Sequence, residues 1–168
     1  YARGRDTVWC RLSPEDRDPA HLLGSLLVAA ARARRPFGAR TRRLFESRRD
    51  MERDGPLLTA CFLDELSGRR LRRLVVLDEA HVLADAQAGL DWLRRVIEES
   101  GPSVRFLLAG RGECPLPLAR LDLEGGSLVL RAADLRFTRE EQGRLAPAAA
   151  RGGRGGVTDP LLATLAGW

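Results

Sequence analysis

Leu74-Val75-Val76-Leu77-Asp78-Glu79-Ala80-His81 is the stretch that decides the fold. Four consecutive apolar residues, two of them β-branched, read as a strand. An unbroken apolar run, unlike an alternating one, is the pattern of a strand covered on both faces. Two carboxylates follow at once. In open α/β sheets ligands bind beyond the carboxyl ends of the strands, so Asp78 and Glu79 fall where chemistry is done. A first carboxylate at such an edge can take Mg²⁺, directly or through water. A second, one residue on, points elsewhere and can orient or deprotonate an attacking water. The plain alternative is a strand end followed by solvated acids.

The next apolar run, residues 104–109, reads as a further strand and leads into Gly110-Arg111. In a parallel sheet the end of that strand lies beside the end that carries Asp78. A guanidinium there can read a γ-phosphate and report its loss; an ordinary loop arginine in an arginine-rich chain is the alternative. His81 completes Asp-Glu-Ala-His, and it reads as a hydrogen-bonding residue of the loop before a catalyst.

Working outward, residues 7–12 (Thr-Val-Trp-Cys-Arg-Leu) form a β-rich run. Asp18 is placed as an N-cap with Pro19 at the first helical position. Leu22, Leu23, Leu26, Leu27 and Ala30 then give a helical stripe. A loop around Pro36-Phe37-Gly38 leads to a polar helix, and residues 57–66 form another helix with Leu58, Cys61, Phe62 and Glu65 at helical spacing. Leu90, Leu93, Val96 and Ile97 mark an amphipathic helix closed by Gly101-Pro102. Residues 128–130 read as a short fourth strand, and Thr138-Arg139-Glu140-Glu141 has capping-box spacing. Residues 146–156 are an Ala, Gly and Arg connector, and a last helix begins near Leu161. Strands alternating with helices predict an α/β fold with a mostly parallel sheet, helices on both faces.

Composition narrows the function classes. The 168 residues suffice for a sizeable core, and 44% are hydrophobic, as in ordinary globular proteins. No apolar run approaches the ~18 residues that span a bilayer, and no signal-peptide pattern opens the chain. Cys10, Cys61 and Cys114 are scattered and odd in number, which fits neither a disulfide framework nor a metal knuckle and points to a reducing, cytoplasmic setting. The first residue is Tyr1, which suggests a chain cut from something longer.

All 28 basic residues are arginine; lysine is absent. A phosphate-binding P-loop needs Gly-Lys-Ser/Thr, the ammonium reaching the β- and γ-phosphates, so these residues hold no such loop. The net charge of +5 favours polyanions, but 23 acids are interspersed. Nine arginines crowd residues 32–53. With only Phe37 and Phe45 among them, a solvated helix face is the better reading than a base-stacking surface.

In order and spacing the chain resembles the ATPase domain of the large LuxR-type transcriptional regulators related to the maltose regulator, within the STAND class of AAA-like NTPases. Residues 9–19 resemble the strand and acidic loop after the P-loop helix. Residues 74–81 resemble the Walker B strand, and residues 107–111 the sensor strand that ends in Arg. Residues 116–121 and 135–141 resemble the stretch leading into the small helical domain, and Gly167-Trp168 the start of its Gly-Trp-Pro motif. The resemblance implies a three-layer, P-loop-NTPase-like fold: a five-stranded parallel sheet with the P-loop strand in its middle, that strand missing here. It implies a partial NTPase core over residues 1–137, with a connector and the start of a helical lid and winged-helix region over 138–168.

By the same resemblance Asp78 is the magnesium carboxylate, Glu79 the catalytic base and Arg111 the γ-phosphate sensor. The cofactors are Mg²⁺ and ATP in the intact parent, an NTP hydrolase that switches transcription. The partners are the rest of its own polypeptide (P-loop segment, winged-helix, repeat and helix-turn-helix domains), further copies of itself through self-assembly, and DNA through a C-terminal domain not in this chain. With the P-loop helix ending at residues 1–4, the chain is expected to be inactive alone and to bind ATP poorly or not at all. Loss of the central strand is expected to leave its neighbours with unpaired edges. Two alternatives stay open. One is a non-enzymatic interaction or nucleic-acid-binding module on a degenerate NTPase fold. The other is a DEAH-box helicase fragment, whose Ser-Ala-Thr motif on the following strand is not matched by residues 107–111.

Overall fold

The computed structural model describes residues 6–33, 35–48, 50–68, 72–117, 126–138 and 140–141. The chain forms two compact units, Tyr1–Pro117 and Leu118–Trp168. In the first unit, strands β1 (Asp6–Arg11), β2 (Arg73–Asp78) and β3 (Val104–Leu108) alternate with helices α1 (Pro19–Ala31), α2 (Ala39–Ser47), α3 (Gly55–Leu66) and α4 (Gln87–Glu99). Short 3-10 turns follow the first two strands at Pro14–Arg17 and Ala80–Leu83. The protein is α/β, as its sequence predicts.

The sheet is parallel throughout and its order is β1-β2-β3. Strand order follows chain order, so right-handed crossovers carry the four helices to one face. Val8, Cys10, Val75, Leu77 and Val104 are buried beneath them. Side chains one residue out of phase lie on the opposite face, where Trp9 is 62% and Leu107 47% exposed. The expectation of helices on both faces is therefore corrected: among the described residues there are two layers, not three. The apolar run 74–77 misled because Val76, in register with exposed Trp9 and Leu107, is itself only 3% exposed. Nor does a gap separate the described strands. The three are contiguous, and the free edges belong to β1 and β3.

Local chemistry explains the helices. Asp18 accepts the Ala20 and His21 amides at 2.9 and 3.0 Å, with Pro19 opening α1. α2 begins after left-handed Gly38 and has no side-chain cap of its own. Glu65 of α3 supplies one, accepting the Arg40 and Thr41 amides. Burial pushes the Glu65 carboxyl up, but the Thr41 hydroxyl and amide outweigh it, and the pKa lies below the ordinary value. Trp92 of α4 donates its indole N–H to Thr59 of α3 at 2.9 Å and packs on Phe62. α4 ends before Gly101, whose φ of 74° is the left-handed geometry of a helix stop.

In the second unit, residues 128–130 are not a strand. They pair with nothing among the described residues, and Leu128 is 83% exposed. Three β-prone residues without a partner strand do not hold an extended ladder. The capping box is present. Thr138 donates from its amide and hydroxyl to the Glu141 carboxylate, and the Glu141 amide donates to the Thr138 hydroxyl. The connector at 146–156, the helix near Leu161, Gly167-Trp168 and residues 1–4 lie outside the described residues.

Candidate functional site

The register of the sheet assembles the site. Arg11 stands opposite Asp78, and Leu77 opposite Leu108. The ends of all three strands therefore fall along one edge, and the segments that leave them are tied together. The Leu12 amide donates to the Asp78 carbonyl at 2.9 Å, and the Ala80 amide to the Ala109 carbonyl at 2.8 Å. Arg17 in the first 3-10 turn donates from Nε to the Val82 carbonyl in the second at 2.8 Å. Asp16, buried, accepts from the Ser13 amide and hydroxyl and from the Ser25 hydroxyl, which fixes that first turn onto α1.

Two glycines permit the close approaches. A Cβ on Gly89 would lie 2.8 Å from the Arg17 carbonyl oxygen, and one on Gly110 would lie 2.9 Å from the His81 backbone nitrogen. α4 and the segment after β3 can come this near only because these positions carry no side chain.

The sequence-predicted residues come together at this edge. Asp78 is half-buried, with one carboxylate oxygen accepting the Glu79 amide at 3.0 Å. Glu79 follows in the left-handed region, φ 58° and ψ 34°, the one positive-φ residue other than glycine among the described residues. Its carboxylate is held by Arg11 and lies near His81. Oε1 lies 3.4 Å from Arg11 Nη2, and Oε2 lies 3.4 Å from His81 Nδ1. The same His81 nitrogen accepts the Arg111 amide at 3.4 Å. His81 thus bonds the segment after β3, as a hydrogen-bonding loop residue should, while the Glu79 carboxylate takes its hydrogen bond from Arg11. The Arg111 side chain is exposed and has no ion pair among the described residues.

Arg11 was not foreseen. Its signal lay in the parallel register, because a strand ending in Cys-Arg beside one ending in Asp-Glu brings a cation to the second acid.

The donor set suits one kind of metal site. Among the described residues no three His, Cys, Asp or Glu side chains gather as a metal cage. Asp78 offers one carboxylate oxygen not committed to a neighbour. Mg²⁺ is commonly held by one or two carboxylates together with waters and substrate phosphates, so Asp78 fits as a single magnesium ligand in a site completed by a phosphate.

The arginine cluster is partly spent within the fold. Arg40 pairs with Asp64, Arg48 lies 3.2 Å from Asp54, and Arg42 donates to the Leu27 carbonyl at 2.8 Å. No described helix is long and apolar enough to cross a membrane. No protein-family model matches the chain, and no curated protein matches it in sequence.

Proposed function

We propose that the chain carries the magnesium and water side of an ATP-hydrolysing switch domain, of the kind found in the STAND-class ATPases of large LuxR-type regulators, on a P-loop-NTPase-like sheet. The supporting observation is the convergence of Asp78, Glu79 and Arg111 at the carboxyl edge of two adjacent parallel strands, with Glu79 and the Arg111 backbone both touching His81. Asp78 would hold Mg²⁺, and the ion would supply neutralising charge to the phosphates. Glu79 would orient the attacking water and accept its proton. Arg111, whose guanidinium has no ion pair among the described residues, would contact the γ-phosphate. Arg11 positions the Glu79 carboxylate. A lysine-bearing phosphate loop would have to come from residues other than these 168, so the isolated chain should hold ATP weakly.

The test is to express the polypeptide from its own reading frame, upstream coding region included, and to measure magnesium-dependent ATP turnover. Removing a general base should lower kcat by ~10²–10⁴-fold, so Glu79→Gln should do so while leaving ATP binding intact, and Asp78→Asn should weaken the magnesium dependence. A frame that encodes no Gly-Lys-Ser/Thr loop, or turnover unchanged by Glu79→Gln, would overturn the proposal.

A further inference from the structure

β1 is an edge strand, and among the described residues no strand pairs with its outer edge. The Asp6 and Leu12 amides donate to carbonyls of the β2 segment, Arg72 and Asp78. By the two-residue period of a strand, the backbone groups of Thr7, Trp9 and Arg11 therefore face away from β2. Native proteins commonly blunt such edges with proline, lysine, a bulge or an overlying segment. Residues 7–11, Thr-Val-Trp-Cys-Arg, carry no proline, lysine or bulge.

Beside this edge runs an open groove of about 690 Å³ between β1 and the outer flank of α1. Gly24 and Phe45 are among its lining, the Phe45 ring lying against the Gly24 backbone. Half-exposed Val28 and largely exposed Trp9 line its sides. Its charged members are Arg11 and Arg32, and His21 also lines it. Arg11 is 73% exposed and only loosely engaged by Glu79, and Arg32 is exposed with no acidic partner among the described residues. The nearby acids are taken up, Asp18 as the α1 cap beside His21 and Asp16 in its serine network.

We propose that this edge and groove form a docking site for an extended acidic peptide segment. The segment would add as a fourth strand on β1. Its main chain would bond Thr7, Trp9 and Arg11, one apolar side chain would lie against Val28 and Phe45, and its carboxylates would meet Arg11 and Arg32. This is strand addition, in which main-chain bonds give affinity and side-chain pockets give selectivity. Charge favours this occupant over a second copy of the chain. A symmetric β1–β1 pairing would set Arg11 of each copy opposite Thr7 of the other, with no acid in residues 7–11 to meet it.

The site can be probed on the full chain with three fluorescent heptapeptides. One alternates Glu and Val, one alternates Lys and Val, and one is the Glu peptide with its central Val replaced by Pro. The Glu peptide should bind at micromolar concentration, at least tenfold more tightly than either of the others, and more weakly as salt rises. Arg32→Glu should weaken it at least tenfold while leaving the far-UV circular dichroism unchanged. The amide resonances of Thr7, Trp9 and Arg11 should shift on titration. Equal binding of the Glu and Lys peptides, no binding of the Glu peptide at 1 mM, or a dimer of the free chain that protects the Thr7–Arg11 amides would each overturn the proposal. None of these readouts depends on ATP, so the outcome is separate from that of the proposed hydrolase site.

Discussion

The charged pair at the amino end of the sheet sets the register on which the site depends, and removing it has a calculable cost. Asp6 and Arg73 are register partners, 6% and 3% exposed. Arg73 Nε lies 3.5 Å from Asp6 Oδ2, and neither atom has a hydrogen bond among the described residues. Other parts of the guanidinium are engaged. Nη1 donates to the Glu65 and Leu66 carbonyls at the end of α3, and the group lies 4.0 Å above the Phe37 ring. Asp6 accepts the Arg35 amide at 3.2 Å. Burial pushes the Arg73 pKa below its ordinary value, and the Asp6 charge opposes that shift.

Such a pair adds little net stability over an apolar substitute, yet removing one member leaves a buried charge uncompensated and costs ~3–5 kcal/mol. Asp6→Ala strands the Arg73 cation and strips the Arg35 amide of its acceptor, so ~4 kcal/mol is expected, a large share of a typical total of ~5–15 kcal/mol. With a urea slope of ~1.5 kcal/mol/M this lowers the unfolding midpoint by ~2–3 M, read by circular dichroism and tryptophan fluorescence. The double variant Asp6→Leu with Arg73→Met removes both charges and should cost less than the sum of Asp6→Ala and Arg73→Met measured singly. A midpoint loss below ~0.5 M for Asp6→Ala, or full additivity in the double variant, would refute the account of a buried ionic clamp. Because β1 and β2 pair from Asp6↔Arg73 through Arg11↔Asp78, a loosened clamp should also shift the Glu79 amide resonance at the far end of the strand.

Two other consequences can be checked directly. The Asp18 carboxyl sits below its ordinary pKa, chiefly because the His21 amide donates to it. Its cap therefore stabilises above the ordinary carboxylate value of ~3.9 and is lost as pH falls through the lower folded value. Asp18→Ala should accordingly cost ~1 kcal/mol in urea denaturation at pH 7 and nothing once both forms are acid-titrated. Burial, aided by the Asp16 charge, pushes the Cys10 thiol up to about 11. A disulfide reagent at pH 8 should therefore modify exposed Cys114 and leave Cys10 untouched until the chain unfolds, and rapid modification of Cys10 in the native protein would contradict its placement.

What the sequence revealed was local, and what it concealed was relational. The start of α1 was legible because Asp18-Pro19 carries its own capping chemistry. The three strands were legible because each is a short apolar or β-branched run beside turn residues. Residues 128–130 had the same local preference but no partner strand, and did not form one. The Glu65 cap of α2 and the Arg11–Glu79 contact were invisible because each joins segments far apart in the chain. The third layer was inferred from the apolar run of β2, which cannot tell a covered face from a central strand flanked by other strands. Asp78, Glu79 and Arg111 could be placed at one edge because the carboxyl edge of a parallel sheet is predictable once its strands are.

The conformation of Glu79 separates a structural carboxylate from a functional one. The left-handed region costs a side-chain-bearing residue ~1–2 kcal/mol, and glycine or asparagine would ordinarily take the position. The turn itself is useful, since it lets the Ala80 amide reach Ala109 at 2.8 Å while the Glu79 carboxylate faces Arg11 and His81. Glycine would make the same turn without strain. The contact glutamate gains in exchange is a 3.4 Å charge pair with Arg11 at a partly exposed site, worth ~0–1 kcal/mol, and glycine adds ~0.5–1 kcal/mol of unfolded-state entropy. These nearly cancel, so Glu79→Gly should leave the urea midpoint within ~0.5 M of the parent or slightly above it. A loss of more than ~1.5 M would show that the Arg11 and His81 contacts hold the strand ends together and that the carboxylate is there for the fold. Near-neutrality would mean that the chain tolerates a strained glutamate where glycine would serve stability as well, which is the pattern of a residue retained for its chemistry.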